Sequence, residues 1–204
     1  MILIDDIEQC SEEWFQHRLG IPSASRFKDV LSKGSGSTRK KYLYAKAAEI
    51  LTGETPESYT NEHMARGIEQ EPAARALYEL TSDIEVKEVG LAMLDDKSAC
   101  ASPDGVVGDH GGLEIKSVIP TVHIETILSG KMPPAHMAQV QGCMWILERD
   151  WWDFVSYSPL VIDQPIFIRR IIRDEQYINK LKLEIDLFNQ ELAEIVEKIK
   201  NASN

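Results

Sequence analysis

Ser102-Pro103-Asp104-Gly105, with Leu113-Glu114-Ile115-Lys116 beginning nine residues after Asp104, is the stretch from which the rest of the chain is read. Pro-Asp-Gly is a turn signal, and Leu-Glu-Ile-Lys alternates apolar and charged residues as a half-buried strand does. Alternate side chains of a strand point to opposite faces. Glu114 and Lys116 therefore share one face, and Leu113 and Ile115 take the other. Asp104 falls where the preceding strand ends. If the two strands pair across the turn Asp109-His110-Gly111-Gly112, Asp104 and Glu114 converge on one point. Two carboxylates and a strand carbonyl make an all-oxygen donor set suited to Mg²⁺ or Mn²⁺. Lys116 beside them suits the orientation or stabilisation of an attacking hydroxide. Cation, hydroxide and phosphate together describe phosphodiester hydrolysis.

Around this pair the period of the apolar residues changes twice. Ser23 reads as the N-cap of a helix through Leu31, and a second helix runs from about Thr38 to Leu51, stopping at Gly53. Between them Lys33-Gly-Ser-Gly-Ser-Thr38 is a loop. A third helix covers about Asn61 to Leu80, with Met64, Ile68, Leu77 and Leu80 apolar. Strands are expected over Ile84–Asp95, Ala99–Val107 and Leu113–Ile119. A helix opening at Pro134 follows, through Ile146, and then strands at Trp152–Tyr157 and Ile166–Ile172. This order predicts an α/β (α+β) fold with a central mixed β-sheet flanked by helices. The last helix carries Ile178, Leu181, Ile185, Phe188, Leu192, Ile195 and Ile199 three and four residues apart, a heptad seam. That seam is open to two readings, packing along its own domain and contact with another subunit. The whole of 1–204 reads as one domain: a helical part at 11–80, a sheet core at 84–173 and a C-terminal helix at 174–200.

Composition narrows the class. With 204 residues, 43% hydrophobic and 27% charged, the chain suits one globular domain. Cys10, Cys100 and Cys143 lie far apart with no CxxC pair, which excludes a disulfide scaffold or a zinc ribbon and suits a reducing cytoplasm. No apolar run is long enough to span a bilayer. The N-terminal MILIDDIEQCSEEW is acidic where a signal peptide needs positive charge. The net charge of -11 is unevenly spread. Gln16–Lys46 holds eight basic residues against Asp29, a net of +7, whereas Glu49–Glu114 holds fifteen acids and four bases, a net of -11. A phosphate binder that also collects cations has this pattern, and so does an ordinary solvated surface.

Asp, about ten residues, then Glu-x-Lys is similar to the signature of the PD-(D/E)xK nuclease superfamily, and four further blocks extend the likeness. Trp14-Phe-Gln-His-Arg18-Leu-Gly20-Ile-Pro-Ser23-Ala24-Ser25 resembles the N-terminal motif of the phage lambda exonuclease family, the YqaJ-type viral recombinases, in which W-x3-R-x-G precedes a T/S-A-S helix start. Gly67-Ile-Glu-Gln-Glu71 resembles that family's G-x-x-x-E helix. Ala101-Ser-Pro-Asp-Gly105 with Leu113–Lys116 resembles its metal motif, and Met137-Ala-Gln-Val-Gln141 its MAQVQ helix. The blocks stand in family order from Trp14 to about Tyr157. One departure is that Ser117-Val118 follows Lys116, where lambda's own motif ends E-x-K-C-P. Little between Val118 and Met137 is placed by the likeness.

The resemblance implies a restriction-endonuclease-like core and a set of roles. Asp104, Glu114 and the Ile115 carbonyl would hold a catalytic Mg²⁺, with Mn²⁺ able to substitute. Glu71 would supply a carboxylate toward a second ion, and Lys116 would assist the nucleophilic water. Arg18, Ser25, Ser102 and Gln139 match positions near the phosphate at a DNA 5′ end. A guanidinium fork suits bidentate grip of a phosphate, and a helix start suits an anion. The competing reading of Arg18 is a helix cap or a pair with Glu12 or Glu13. The implied activity is a 5′→3′ exodeoxyribonuclease on linear double-stranded DNA. It would leave 3′ tails for a phage single-strand annealing protein, in the bacterial host cytoplasm. The family's ring-shaped trimer is the implied assembly. The alternatives are a PD-(D/E)xK endonuclease of restriction or junction type, and a non-catalytic protein that binds DNA ends.

Other residues carry plainer expectations. His17, His63, His110, His123 and His136 show no zinc spacing and read as surface or ordinary polar residues. Gly34-Ser-Gly-Ser-Thr-Arg-Lys40 lacks the phosphate-loop spacing and reads as a basic loop that touches DNA. Trp145, Trp151 and Trp152 read as core. Cys143 has no activating basic neighbour in sequence, so a nucleophilic thiol is not expected there.

Overall fold

A computed structural model describes residues 1–32, 37–55 and 62–202. In chain order the elements are β1 (Ile2–Ile4), α1 (Glu12–His17), a 3₁₀ turn at Ala24–Arg26, α2 (Phe27–Val30), α3 (Ser37–Thr52), α4 (Glu62–Ser82), β2 (Leu91–Met93), β3 (Cys100–Ala101), β4 (Gly105–Val107), β5 (Gly111–Ser117), α5 (Pro120–Ser129), a 3₁₀ turn at Pro134–His136, α6 (Met137–Ile146), β6 (Trp151–Tyr157), β7 (Ile166–Ile172) and α7 (Glu175–Asn201). Asn61 and most of the Lys33–Thr38 loop, with the glycines of Gly34–Lys40, lie outside the described residues.

The strands form two sheets, where the sequence predicts one central sheet. One is antiparallel, in the order β1-β2-β3; the other is mixed, in the order β4-β5-β6-β7. The division falls inside the stretch expected as a single strand, Ala99–Val107. Cys100 and Ala101 pair with β2, whereas Gly105–Val107 pair with β5. Pro103 lies between them, and a residue without an N–H cannot carry a ladder through. The strand expected over Ile84–Asp95 contracts to Leu91–Met93. It starts just after Gly90, where a Cβ would stand 2.2 Å from the Ile7 carbonyl oxygen. In the mixed sheet β5 runs parallel to β6, with Glu114 opposite Phe154 and Lys116 opposite Ser156.

The two faces of the mixed sheet enter different cores. Leu113 and Ile115 pack with Val107, Val155 and Tyr157 against Ala74 and Tyr78 of α4. On the other side Trp152 and Phe154 enter the main core, built from Phe27 and Val30, Tyr42 and Leu43, Val140 to Ile146, and Leu181 to Val196. A third cluster, Ile7, Trp14, Ile21, Leu91, Met93 and Cys100, lies on the antiparallel sheet. The seam of α7 serves this chain's own core. Ile178, Leu181, Ile185, Phe188 and Leu192 are buried, Ile195 is half-buried, and only its last member, Ile199, is exposed. Asp174 caps that helix by accepting from the Gln176 and Tyr177 N–H groups.

Candidate active site

The antiparallel pairing that sets Gly105 opposite Leu113 places Asp104 level with Glu114. The Ile115 N–H donates to Asp104 Oδ2 at 2.5 Å, which fixes the Asp104 carboxylate beside β5. Glu114 is 1% exposed. Lys116 makes an ion pair with Glu114 Oε1, but neither Glu114 oxygen accepts a hydrogen bond of good geometry among the described residues. A buried carboxylate with unsatisfied lone pairs is costly unless a cation meets it. Burial first, and then the charge of Glu114, push the Asp104 carboxyl well above the ordinary carboxylate range. Burial works against the Lys116 charge, but Glu114 and Asp104 more than offset it, so its pKa is raised and it stays an ammonium. The donors are all oxygen, packed and under-neutralised. They fit a hard divalent cation.

Glu71 approaches from α4. It and Asp104 line a cavity of about 580 Å³ with Ile7, Gln9, Pro72, Arg75, Glu88 and Pro103 among its walls. Its pKa is raised, by burial first, with Arg75 opposing and Glu114 adding to the rise. Arg75, one turn along α4, pairs with it at 2.5 Å. Among the described residues no three His, Cys, Asp or Glu side chains converge closely enough to hold a metal by themselves. Glu71 thus shares the cavity of Asp104 without closing with Asp104 and Glu114 into one ligand set.

A second, smaller cavity of about 160 Å³ gathers all four residues matched to the 5′-phosphate positions. Arg18, Ser25, Ser102 and Gln139 line it together with Gln9, Trp14, Ser23, Ala24 and Cys143. Arg18 lies just beyond α1, with its guanidinium 3.7 Å from the Trp14 ring centroid. The Trp14 indole N–H donates to Ser102 Oγ at 2.9 Å and to the Gly90 carbonyl at 3.1 Å. Gln139 stands in the first turn of α6. That helix comes close to the Ser25 turn because Gly142 leaves room for Phe27, whose ring would be 2.5 Å from a Cβ there. A guanidinium, two hydroxyls and a carboxamide around one small cavity are donor types that suit an anion.

Gln9 belongs to both cavities. Its Nε2 donates to the Val89 and Pro103 carbonyls at 3.0 and 2.9 Å, so it forms part of the wall between the acidic and the basic site. Cys10 beside it has φ 67, a left-handed conformation uncommon for a residue with a side chain. Nothing in the sequence singles out Gln9, because a lone glutamine near a terminus has no pattern.

A polar stripe on α3 holds the basic cavity from behind. Tyr42 Oη accepts from the Ser23 N–H at 3.0 Å, and Glu49 Oε2 accepts from the Gly20 N–H at 2.9 Å and from Lys46 Nζ at 2.8 Å. All three residues are buried. Spaced four and three apart, they share one helix face and grip the segment that leads to Ser25.

Elsewhere, His123 is fully buried, with Nδ1 2.8 Å from Ser156 Oγ and Nε2 2.9 Å from the Gln164 carbonyl. His136 stacks on Phe154 with ring centroids 5.3 Å apart. Trp152 is buried core, but Trp151 is only half-buried and carries the Arg170 guanidinium 3.5 Å from its ring centroid. Burial, then the Glu114 and Asp104 charges, raise the Cys143 thiol well above its usual range, in keeping with an inert core cysteine. Among the described residues no helix is long and apolar enough to cross a membrane.

Comparison with known proteins gives the family and the fold. The model of the YqaJ-like viral recombinase domain matches residues 13–150, and the chain belongs to that family. An alkaline exonuclease from Laribacter hongkongensis, LHK-Exo, is 39% identical. The match covers 95% of this chain and 98% of that one, with a TM-score of 0.87. Its structure in complex with dAMP matches over the same shares with a TM-score of 0.88. A phage-related exonuclease from Haemophilus somnus 129PT shares the fold at 17% identity, covering 88% of this chain and 96% of that one, with a TM-score of 0.67. The chain is a nuclease of the alkaline-exonuclease fold.

Proposed function

We propose that this member of the YqaJ-like viral recombinase family is a Mg²⁺-dependent 5′→3′ exodeoxyribonuclease. It digests one strand from the ends of linear double-stranded DNA and leaves 3′ single-stranded tails. The observation that carries the reading is the pairing of two cavities across Gln9. One is basic and small, with Arg18, Ser25, Ser102 and Gln139. The other is acidic, with Glu71 and Asp104. An enzyme that starts at a 5′ end needs a seat for a terminal phosphate beside a seat for the scissile one.

In this reading Asp104, Glu114 and the Ile115 carbonyl hold one cation, and Glu71 reaches toward a second; Mn²⁺ can replace Mg²⁺. A cation held by these residues would supply polarisation of the scissile phosphate and a lower pKa for the attacking water. Lys116, ion-paired with Glu114, assists the attacking oxygen and stabilises developing negative charge. Arg18 meets the terminal phosphate with its guanidinium plane set by Trp14. Ser25, Ser102 and Gln139 complete the pocket with neutral hydrogen bonds. The enzyme is phage or prophage encoded, forms a ring of three subunits, and hands its tails to an annealing protein in the host cytoplasm. All of 1–204 serves this one nuclease domain.

The test is a linear duplex labelled at either end, incubated with Mg²⁺ or with EDTA, beside a covalently closed plasmid. The reading expects Mg²⁺-dependent release of the 5′ label first and an intact plasmid. Cleavage of the plasmid would replace it with an endonuclease, and release of the 3′ label first would reverse the direction.

A further inference from the structure

Arg75 stands out in the acidic cavity because, among the described residues, it is the one cationic side chain that lines it. Asp5, Asp6, Glu8, Glu71, Glu88 and Asp104 share the same walls. Its Nη2 meets Glu71 Oε1 at 2.5 Å and its Nη1 meets Glu88 Oε1 at 2.6 Å, so one guanidinium spans two carboxylates. The Arg75 side chain is 12% exposed, whereas that of Glu88 is 73% exposed. A guanidinium so buried is held by its partners, and the partner that faces solvent contributes least to holding it. Arg75 Nε makes no hydrogen bond among the described residues, so the group is tethered through its two terminal nitrogens only.

Glu71 and Arg75 sit four apart on α4, the spacing at which carboxylate and guanidinium meet on a helix. An ordinary surface pair at this spacing contributes little. This one differs, because Glu71 is under the pull of two opposite demands. Glu114 and Glu88 add negative charge around it, and Arg75 opposes them at Glu71. A divalent cation reaching Glu71 must displace the guanidinium or share the carboxylate with it.

We infer that Arg75 is a built-in counter-cation for Glu71, competing with the second divalent ion and setting how weakly that ion binds. Glu88 is its alternative seat. When Glu71 is given up to a cation, Arg75 retains a carboxylate partner and does not become an unpaired buried charge. The inference rests on the reading of Glu71 as a ligand of the second cation. It adds the residues that control that ligand, and it makes opposite predictions for the two arms of the bridge. Removing Arg75 frees Glu71 and tightens the second ion. Removing the charge of Glu88 leaves Arg75 with Glu71 alone and weakens it.

The experiment is Mn²⁺ titration of the DNA-free protein, followed by the electron paramagnetic resonance signal of free Mn²⁺, for wild type, Arg75→Gln, Arg75→Lys, Glu88→Gln and Glu71→Gln. Arg75→Gln is expected to tighten the weaker site about tenfold, the scale of one close charge contact where solvent reaches. Arg75→Lys should stay near wild type, and Glu88→Gln should shift the weaker site the other way. An unchanged or weakened site in Arg75→Gln, or a tightened one in Glu88→Gln, overturns the inference. Glu88 is exposed, so its variant gives an answer even if Arg75→Gln does not fold. Glu71→Gln separates the two failures. If it loses the weaker site while Arg75→Gln leaves that site unmoved, only the competition is wrong. If it binds Mn²⁺ as wild type does, the placement of the second ion falls as well.

Discussion

Trp14 and Ser102, 88 residues apart in sequence, meet through a 2.9 Å hydrogen bond from the indole N–H to the serine hydroxyl. That bond ties the helix that precedes Arg18 to the link between β3 and β4 that carries Asp104. The same indole ring lies beneath the Arg18 guanidinium. Trp14→Phe keeps an aromatic ring under Arg18 but removes the donor. The loss of one neutral hydrogen bond costs about 0.5–1.5 kcal/mol. Initiation on 5′-phosphorylated duplex should fall about threefold to tenfold, with 5′-hydroxyl duplex little changed. Initial rates on the two substrates check this.

Asp104, Glu114 and Lys116 should act as one unit. Asp104→Asn, Glu114→Gln and Lys116→Ala are each expected to remove nearly all hydrolysis, and the double variants to lose little more. Stability should move the other way for Asp104. Its folded-state pKa is raised, so the folded carboxyl resists losing a proton that the unfolded chain gives up readily. Stability is therefore lost as pH rises above the ordinary carboxylate range. The carboxamide of the Asp104→Asn variant cannot ionise, and its oxygen can still accept from the Ile115 N–H. In EDTA at pH 8, Asp104→Asn should melt at a higher temperature than wild type, and added Mg²⁺ should narrow the gap. Calorimetry in both conditions is the measurement.

Glu49 links a buried ion pair to the backbone of the basic cavity. Glu49→Ala leaves the Lys46 amine buried without its carboxylate partner, and strips the Gly20 N–H of its acceptor. Breaking a buried pair in this way costs about 3–5 kcal/mol. Lys46→Met combined with Glu49→Gln should cost much less, since glutamine still accepts from Gly20 and no charge is left alone. Urea unfolding of the three proteins tests the order.

The clustering of Glu114 and Lys116 is legible in the sequence because strand alternation is local. Glu114 and Lys116 two apart must share a face, whereas the break at Pro103 falls inside the single strand expected over Ala99–Val107. Glu71, Arg18, Ser25, Ser102 and Gln139 carry no such local signal and are reached through family likeness. What both routes miss is held by contacts between distant segments. Tyr42, Lys46 and Glu49 match no motif, yet the helix face they share is buried against the Gly20–Ser23 backbone. Helix α5 escapes the sequence pattern for a related reason. It buries His123 and Thr126 and exposes Val122, Ile124 and Leu128, so its apolar residues trace the wrong face. Strand β1 is three residues long, too short for a period to show.

His136 should give the fold a pH-dependent component. Burial first, then Lys116 and Lys28, push its pKa down to about 4 from the ordinary 6.5. The folded state keeps the ring neutral while the unfolded chain protonates it. The stability His136 contributes is therefore complete above pH 6.5 and is lost as pH falls through the window toward 4. His136→Gln removes the titrating group. The drop in melting temperature from pH 7 to pH 5 should be smaller in the variant than in wild type; an equal drop would assign the acid sensitivity to other groups.

Arg18 provides the sharpest test of how an end is chosen. A terminal phosphate carries more negative charge than a phosphodiester, so a guanidinium distinguishes an end from interior backbone by charge alone. Arg18 lines the small cavity with Ser25, Ser102 and Gln139, and its guanidinium rests on the Trp14 ring. The competing role, a structural one at the end of α1, makes a different prediction. If Arg18 meets the terminal phosphate, wild type prefers 5′-phosphorylated to 5′-hydroxyl duplex, and Arg18→Ala erases the preference. A hydrogen bond to a charged group is worth about 1.5–3 kcal/mol, or about ten- to a hundredfold on the phosphorylated substrate alone. Arg18→Lys keeps the charge but not the fork, and should recover part of the preference. If Arg18→Ala slows both substrates equally, or lowers only the melting temperature, the residue supports the fold and the end is read elsewhere.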